Sequence, residues 1–213
     1  MTSDTTLVVQ PLGCKTPIKI RTFELEPVFG EIQWTDHQLQ PVMLQQGAWL
    51  RKHPVENVLF WSDECEEMMP GGLSIEDVNA TTKIPHAVMP SAEDYIFAVH
   101  SHLGSTDEKL RYLRLRIWWE GNNPIRRGEC DTLTAPFLDN LARLLPFFEG
   151  ASPQRQLIKA EALRELALFK DALKVLDHEV FGELEDFASF LASLCRAEDP
   201  RVARWPSRRK MAG

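Results

Sequence analysis

The spacing of apolar residues changes character along this chain. Up to about Pro90, short runs and near-alternation dominate. Leu7 to Val9 is a brief β-like run, Ile18 to Leu25 mixes apolar and charged residues in near alternation, and Phe29 to Trp34 alternates around Gly30. Val58, Leu59, Phe60 and Trp61 form a further compact apolar run. The stretch from Asp63 to Ala87 is acidic and irregular, broken by Pro70, Gly71 and Gly72. From Ser91 onward the spacing is helical: Ser91 and Asp94 predict the cap of a helix carrying Tyr95 to Val99 and ended by Gly104.

The strongest prediction is a central helix from Ser105 to Arg127. Ser105 with Glu108 reads as a capping box, and Gly121 followed by Asn122, Asn123 and Pro124 reads as a stop. Between them Leu110, Tyr112, Leu113, Leu115, Ile117, Trp118 and Trp119 cover most of the circumference, as expected of a helix buried among other elements. Both tryptophans should therefore be largely buried.

Further helices are expected over Pro136 to Phe148, from Ser152 and Pro153 to about Leu168, over Phe169 to Leu176, and over Phe181 to Ala197. Within Lys159 to Leu176, the alternation of Ala160, Leu163, Ala167, Phe169, Ala172 and Leu176 suits a tetratricopeptide-like hairpin, because small residues let two helices approach closely. No second copy follows at a period of roughly 34 residues, so a repeat array is not expected. Arg201, Arg204, Arg208, Arg209 and Lys210 make a basic tail that reads as a frayed, solvated terminus. The pattern is α+β: a strand and loop rich half over residues 1–90, packed on a helical half over 91–200, with a tail at 201–213.

Composition narrows the classes. With 44% hydrophobic and 26% charged residues, wholesale disorder is excluded. A net charge of -7 argues against a general nucleic-acid binder and suits a basic protein partner. Cys14, Cys65, Cys130 and Cys195 show no paired spacing and read as free thiols in a reducing compartment. The N-terminus lacks a secretory pattern and the apolar stretches are too short to span a bilayer, so a cytoplasmic location without membrane contact is expected.

Candidate chemistry is sparse. His100 and His102 lie two apart, a spacing that does not converge on one ion in a helix, and an enzyme using either of them is a minor alternative. Arg114, Arg116, Arg126 and Arg127 near the tryptophans read as structural, pairing with Glu108 or Glu120. No phosphate-binding glycine loop, nucleophile elbow or zinc-protease motif is present. No catalytic residue, metal or cofactor is therefore assigned. The candidate partner-binding residues are Asp63, Glu64, Glu66, Glu67, Met68 and Met69, where carboxylates steer a basic partner and methionines adapt to its surface.

Two regions resemble an uncharacterised bacterial family. The first runs through Trp34-Thr35-Asp36, Pro41-Val42-Met43-Leu44, His53-Pro54-Val55-Glu56 and Leu59-Phe60-Trp61-Ser62-Asp63-Glu64. The second is Leu113 to Arg127 with the hairpin at Lys159 to Leu176. The positions of His53 and Glu56 look like those of two cysteines in a Cys-Pro-x-Cys knuckle, so the resemblance implies a ribbon-like N-terminal module without its metal. The whole chain also resembles type VI secretion immunity proteins of the TsiT kind. That resemblance implies a non-enzymatic protein that occludes a cognate secreted toxin, of nuclease type, and leaves a homodimer open. The alternative is a metal-free scaffold that binds a cellular peptide through its helical half.

Overall fold

A computed structural model describes residues 4–23, 34–37, 50–68, 84–150 and 152–206. The chain is α+β and divides into two compact units, Met1–Phe29 with Met43–Ala98, and Gly30–Val42 with Val99–Gly213. The predicted segments 24–33, 38–49, 69–83 and 207–213, which include Pro41 to Leu44, Met69, Arg208, Arg209 and Lys210, lie outside the described residues.

In the first unit, β1 (Asp4–Gln10) pairs antiparallel with β2 (Ile18–Phe23), with Leu7 opposite Ile20 and Val9 opposite Ile18. These four share a face, since side chains alternate across a strand. Val9, Ile18 and Ile20 are buried there with Phe60, against Leu7, Cys65 and Ala87. A short hairpin joins β3 (Leu50–Lys52) to β4 (Leu59–Trp61). Contrary to the expectation of an irregular acidic stretch, Glu66–Glu67 form β5 on the outer side of β1. An extended segment ties the two sheets: Lys19 N donates to Pro85 O, and Lys52 and Val88 exchange both backbone bonds. Helix α1 (Ala92–His100) begins with the predicted reciprocal cap, in which Asp94 N donates to Ser91 Oγ at 3.2 Å and Ser91 N donates to Asp94 Oδ2 at 2.9 Å. Asp94 also holds Lys52 Nζ at 2.8 Å.

In the second unit, the central helix α2 (Asp107–Arg126) departs from the sequence expectation at both ends. Its cap is Thr106, whose hydroxyl accepts from Lys109 N at 3.2 Å, so Ser105 and Glu108 do not form the box. Gly121 to Pro124 do not stop it. Gly121 is helical and buried, and a Cβ there would lie 2.7 Å from Phe137 Cδ1, so the glycine serves close approach of a neighbouring helix. That neighbour is α3 (Ala135–Leu144), which continues as a 3-10 turn over Leu145–Phe148. Trp118 is fully buried with Leu133, Leu141, Leu144, Phe148 and Ala162, whereas Trp119 is only half-buried.

Helices α4 (Pro153–Glu165) and α5 (Phe169–His178) form the predicted hairpin, and α6 (Glu185–Arg196) packs against both. Leu157, Ala160, Leu163, Ala172, Leu176, Phe187 and Leu191 make its core. Ser152 stands at the cap position of α4 but its side chain makes no cap bond. The start of the tail is not frayed. Val202 is buried, Trp205 meets Phe187 edge to face and Phe190 at a tilt, with ring centroids 5.3 and 5.2 Å apart, and Thr35 pairs with Ala203 through two 2.9 Å bonds. Apolar side chains from α6 give these residues a surface to bury against.

Candidate functional site

Of the candidate partner-binding residues, Asp63 and Glu64 sit in a 3-10 turn (Ser62–Glu64), Glu66 and Glu67 form β5, and Met68 follows with its backbone N donating to Val8 O at 3.0 Å. All five side chains are exposed, Met68 to 52%. Met69 lies outside the described residues. Cys65, between the acidic pairs, turns inward: its thiol donates to Trp61 O at 3.3 Å, and burial pushes its pKa up to about 11. The result is a run of exposed carboxylates, two in the turn and two on the outer strand of a three-stranded sheet, where Glu66 and Glu67 project to opposite faces, with the Cys65 thiol packed into the apolar cluster of the unit.

A second polar constellation lies beside it in the same unit. The turn at His53 to Asn57 is built around a fully buried imidazole. His53 Nδ1 accepts from Val55 N at 3.3 Å and Glu56 N at 3.2 Å, and Asn57, in the left-handed region at φ 57°, closes the turn by donating to His53 O at 2.8 Å. With Nδ1 accepting, Nε2 carries the proton and donates to Thr16 Oγ1 at 3.0 Å. The Thr16 hydroxyl in turn donates to Glu56 Oε1 at 2.5 Å, and the same carboxylate accepts from Lys15 N and Thr16 N at about 3 Å. Donation by Thr16 and Lys15 holds Glu56 at a pKa of about 2. The pair His53 and Glu56 thus locks the 11–16 loop to the 53–57 turn by hydrogen bonds. A carboxylate this acidic is a poor proton acceptor, so Thr16 is not set up as a nucleophile.

The second unit holds a buried cluster that sequence reasoning missed. Asn122 Nδ2 donates to Asp36 Oδ2 at 2.9 Å and to both oxygens of Glu165 at 3.1 Å, and Trp118 Nε1 donates to Glu165 Oε2 at 2.7 Å. Arg126 pairs with Asp36, and Trp119 Nε1 donates to Asp36 O at 3.1 Å. Next to this, fully buried Arg164 grips fully buried Glu161 in a two-pronged pair at 2.6 and 2.7 Å, and its other donors reach the carbonyls of Asp199 and Arg201. Burial, then Glu161 and Asp36, raise the pKa of Glu165 well above the carboxylate range. Burial lowers that of His37, whose Nε2 is shut from solvent, to about 4. The available signal was the run Glu161, Arg164 and Glu165 inside an otherwise apolar helical pattern. These groups bind segments of one unit together, and such networks perturb pKa values without catalysis.

His100 and His102 are both exposed, His102 in the left-handed region at φ 56°, and among the described residues no three His, Cys, Asp or Glu side chains are grouped to hold a metal ion. All four cysteines are free thiols, and among the described residues no helix is long and apolar enough to cross a membrane. Compared with known proteins, the chain matches no family model, no curated protein and no solved structure.

Proposed function

We propose that this chain is a non-enzymatic immunity protein that binds a basic, secreted bacterial toxin and neutralises it by occlusion. The observation that carries the reading is the exposed acidic run through the 3-10 turn and β5. Glu66 and Glu67 project from an outer strand, with Asp63 and Glu64 before them and Met68 after, and all are exposed. An outer strand offers backbone groups to an added partner strand, and a glutamate on each of its faces keeps copies of the same chain away while attracting a cationic one. The net charge of -7 and the resemblance to type VI secretion immunity proteins point the same way. The helical hairpin gives the scaffold alternative less support, because its motif residues Ala160, Leu163, Ala172 and Leu176 are spent on the core.

The test is recovery of the partner from the producing bacterium, followed by kinetics. A secreted basic toxin should be the stoichiometric partner, and its growth inhibition should be relieved by the chain. Replacing Asp63 and the three glutamates by Asn and Gln should slow association about tenfold at low salt and flatten its salt dependence. Housekeeping proteins as the stoichiometric partners, or unchanged kinetics, would overturn the assignment.

A further inference from the structure

Leu12 is 87% exposed and Val55 72%. Singly exposed aliphatic residues are ordinary, but these two share one mount. Leu12 rides on the 11–16 loop and Val55 on the 53–57 turn, and Glu56 joins the two by accepting from Lys15 N, Thr16 N and the Thr16 hydroxyl. His53 fastens the turn from inside. Loop tips are ordinarily where a chain relaxes. Here the tips are held and carry apolar side chains outward.

The mount also leads into the acidic run. Gln10 opposite Glu66 is the last pair of the β1–β5 ladder, and the chain then turns, with Cys14 N donating to Pro11 O. Leu12 is thus two residues beyond a pair that contains Glu66. The 11–16 loop carries one cation, Lys15, against the carboxylates of Asp63, Glu64, Glu66 and Glu67.

We infer that Leu12 and Val55 are the apolar anchors of the partner surface proposed above, seated in an apolar recess of the basic protein that the carboxylates draw in; the inference rests on that reading. Charge selects this occupant. A second copy of the chain would bring the same carboxylates against the acidic run, and an anionic lipid surface would be repelled by it. A cationic protein surface with an apolar recess is complementary to exposed aliphatic tips whose loop runs on from the strand paired with acidic β5. Because the mount is already ordered, little conformational freedom is lost when the tips are buried.

The full chain is titrated with two synthetic probes, a lysine nonapeptide and the same peptide with two lysines replaced by leucine. The leucine peptide should bind about tenfold more tightly. Leu12→Ser with Val55→Ser should abolish that advantage and leave the all-lysine affinity unchanged, while Leu12→Met with Val55→Ile should retain it, which separates loss of an anchor from loss of the loop. Equal affinities in the wild type, or an advantage that survives the serine pair, overturn the anchors and leave the basic-partner reading standing. Absence of binding by both peptides overturns that reading and the anchors with it. Self-association, or attachment to phosphatidylglycerol vesicles, that the serine pair abolishes would assign the tips to a second copy or to lipid and overturn the proposed occupant.

Discussion

The two units each tie distant stretches of chain with carboxylates, but under opposite conditions. In the first, Glu56 lies near solvent and is surrounded by donors from Lys15 and Thr16, which pull its pKa to about 2. In the second, Glu165 is 5% exposed, shares the Asn122 amide with Asp36, and lies near Glu161, so its pKa rises. One residue type is thus driven in opposite directions, and what decides first is burial: Glu165 loses its water and then meets Glu161 and Asp36, whereas Glu56 keeps solvent and gains donors. The lesson concerns cost. A lock near water can be lost locally, whereas a buried network holds several segments and fails together.

The hardest blow to that contrast is the removal of Arg164. Arg164→Met leaves Glu161 buried and unpaired and abandons the carbonyls of Asp199 and Arg201. The expected loss is about 3–5 kcal/mol in urea unfolding. Replacing Glu161 by Leu in the same chain should recover much of it, because the apolar pair leaves no uncompensated charge. A loss below about 1 kcal/mol for the single variant would place this pair among exposed ones and break the comparison.

A smaller effect sharpens it through pH. The folded pKa of Glu165 lies above its unfolded value, so its contribution is present below about pH 4.5 and is lost as pH rises through the raised value. The folded pKa of His37 lies below its unfolded value of 6.5, at about 4, so stability falls as pH drops from 6.5 toward 4. The two slopes oppose each other above pH 4.5. Glu165→Gln should therefore steepen the acid loss between pH 6.5 and 4.5 while changing stability by only about 1 kcal/mol at neutral pH. His37→Asn, which tolerates the left-handed backbone at φ 60°, should instead flatten it. Unfolding followed across pH checks both signs.

What could be read from the sequence follows the range of each cause. Leu7 to Val9, the run from Ile18 to Leu25 and the Ser91 with Asp94 cap are local patterns, and the structure has them, the second as a strand over Ile18–Phe23. The start of α2 shifts by one residue because Thr106 and Ser105 are adjacent hydroxyl residues that can each cap. Gly121 misleads because its reason, the ring of Phe137, lies across space. Trp205 needs Phe187 and Phe190, and the Asp36 to Asn122 bond spans 86 positions. Exposure of Asp63, Glu64, Glu66 and Glu67 was legible because clustered charge stays in water. The outer-strand position of Glu66 and Glu67 was not, since two glutamates carry no strand signal.

The smallest expected effect tests the lock itself. Glu56→Gln keeps the shape of the side chain and an acceptor oxygen, but removes the charge that Lys15 N, Thr16 N and the Thr16 hydroxyl point at. Charge-assisted bonds become neutral ones, so amide exchange at Lys15 and Thr16 should quicken while the Leu7 to Val9 amides of β1 keep their protection. The wild type has a folded pKa near 2, below the usual value of 4.5, so its lock is complete above pH 4.5 and weakens as pH falls toward 2. Faster exchange at Lys15 and Thr16 in the wild type at pH 3 than at pH 6, after correction for intrinsic rates, is the expected sign, and the variant should show no such step. If Glu56→Gln instead exposes the β1 amides, the lock belongs to the cooperative core of its unit, and the contrast between local lock and shared network falls.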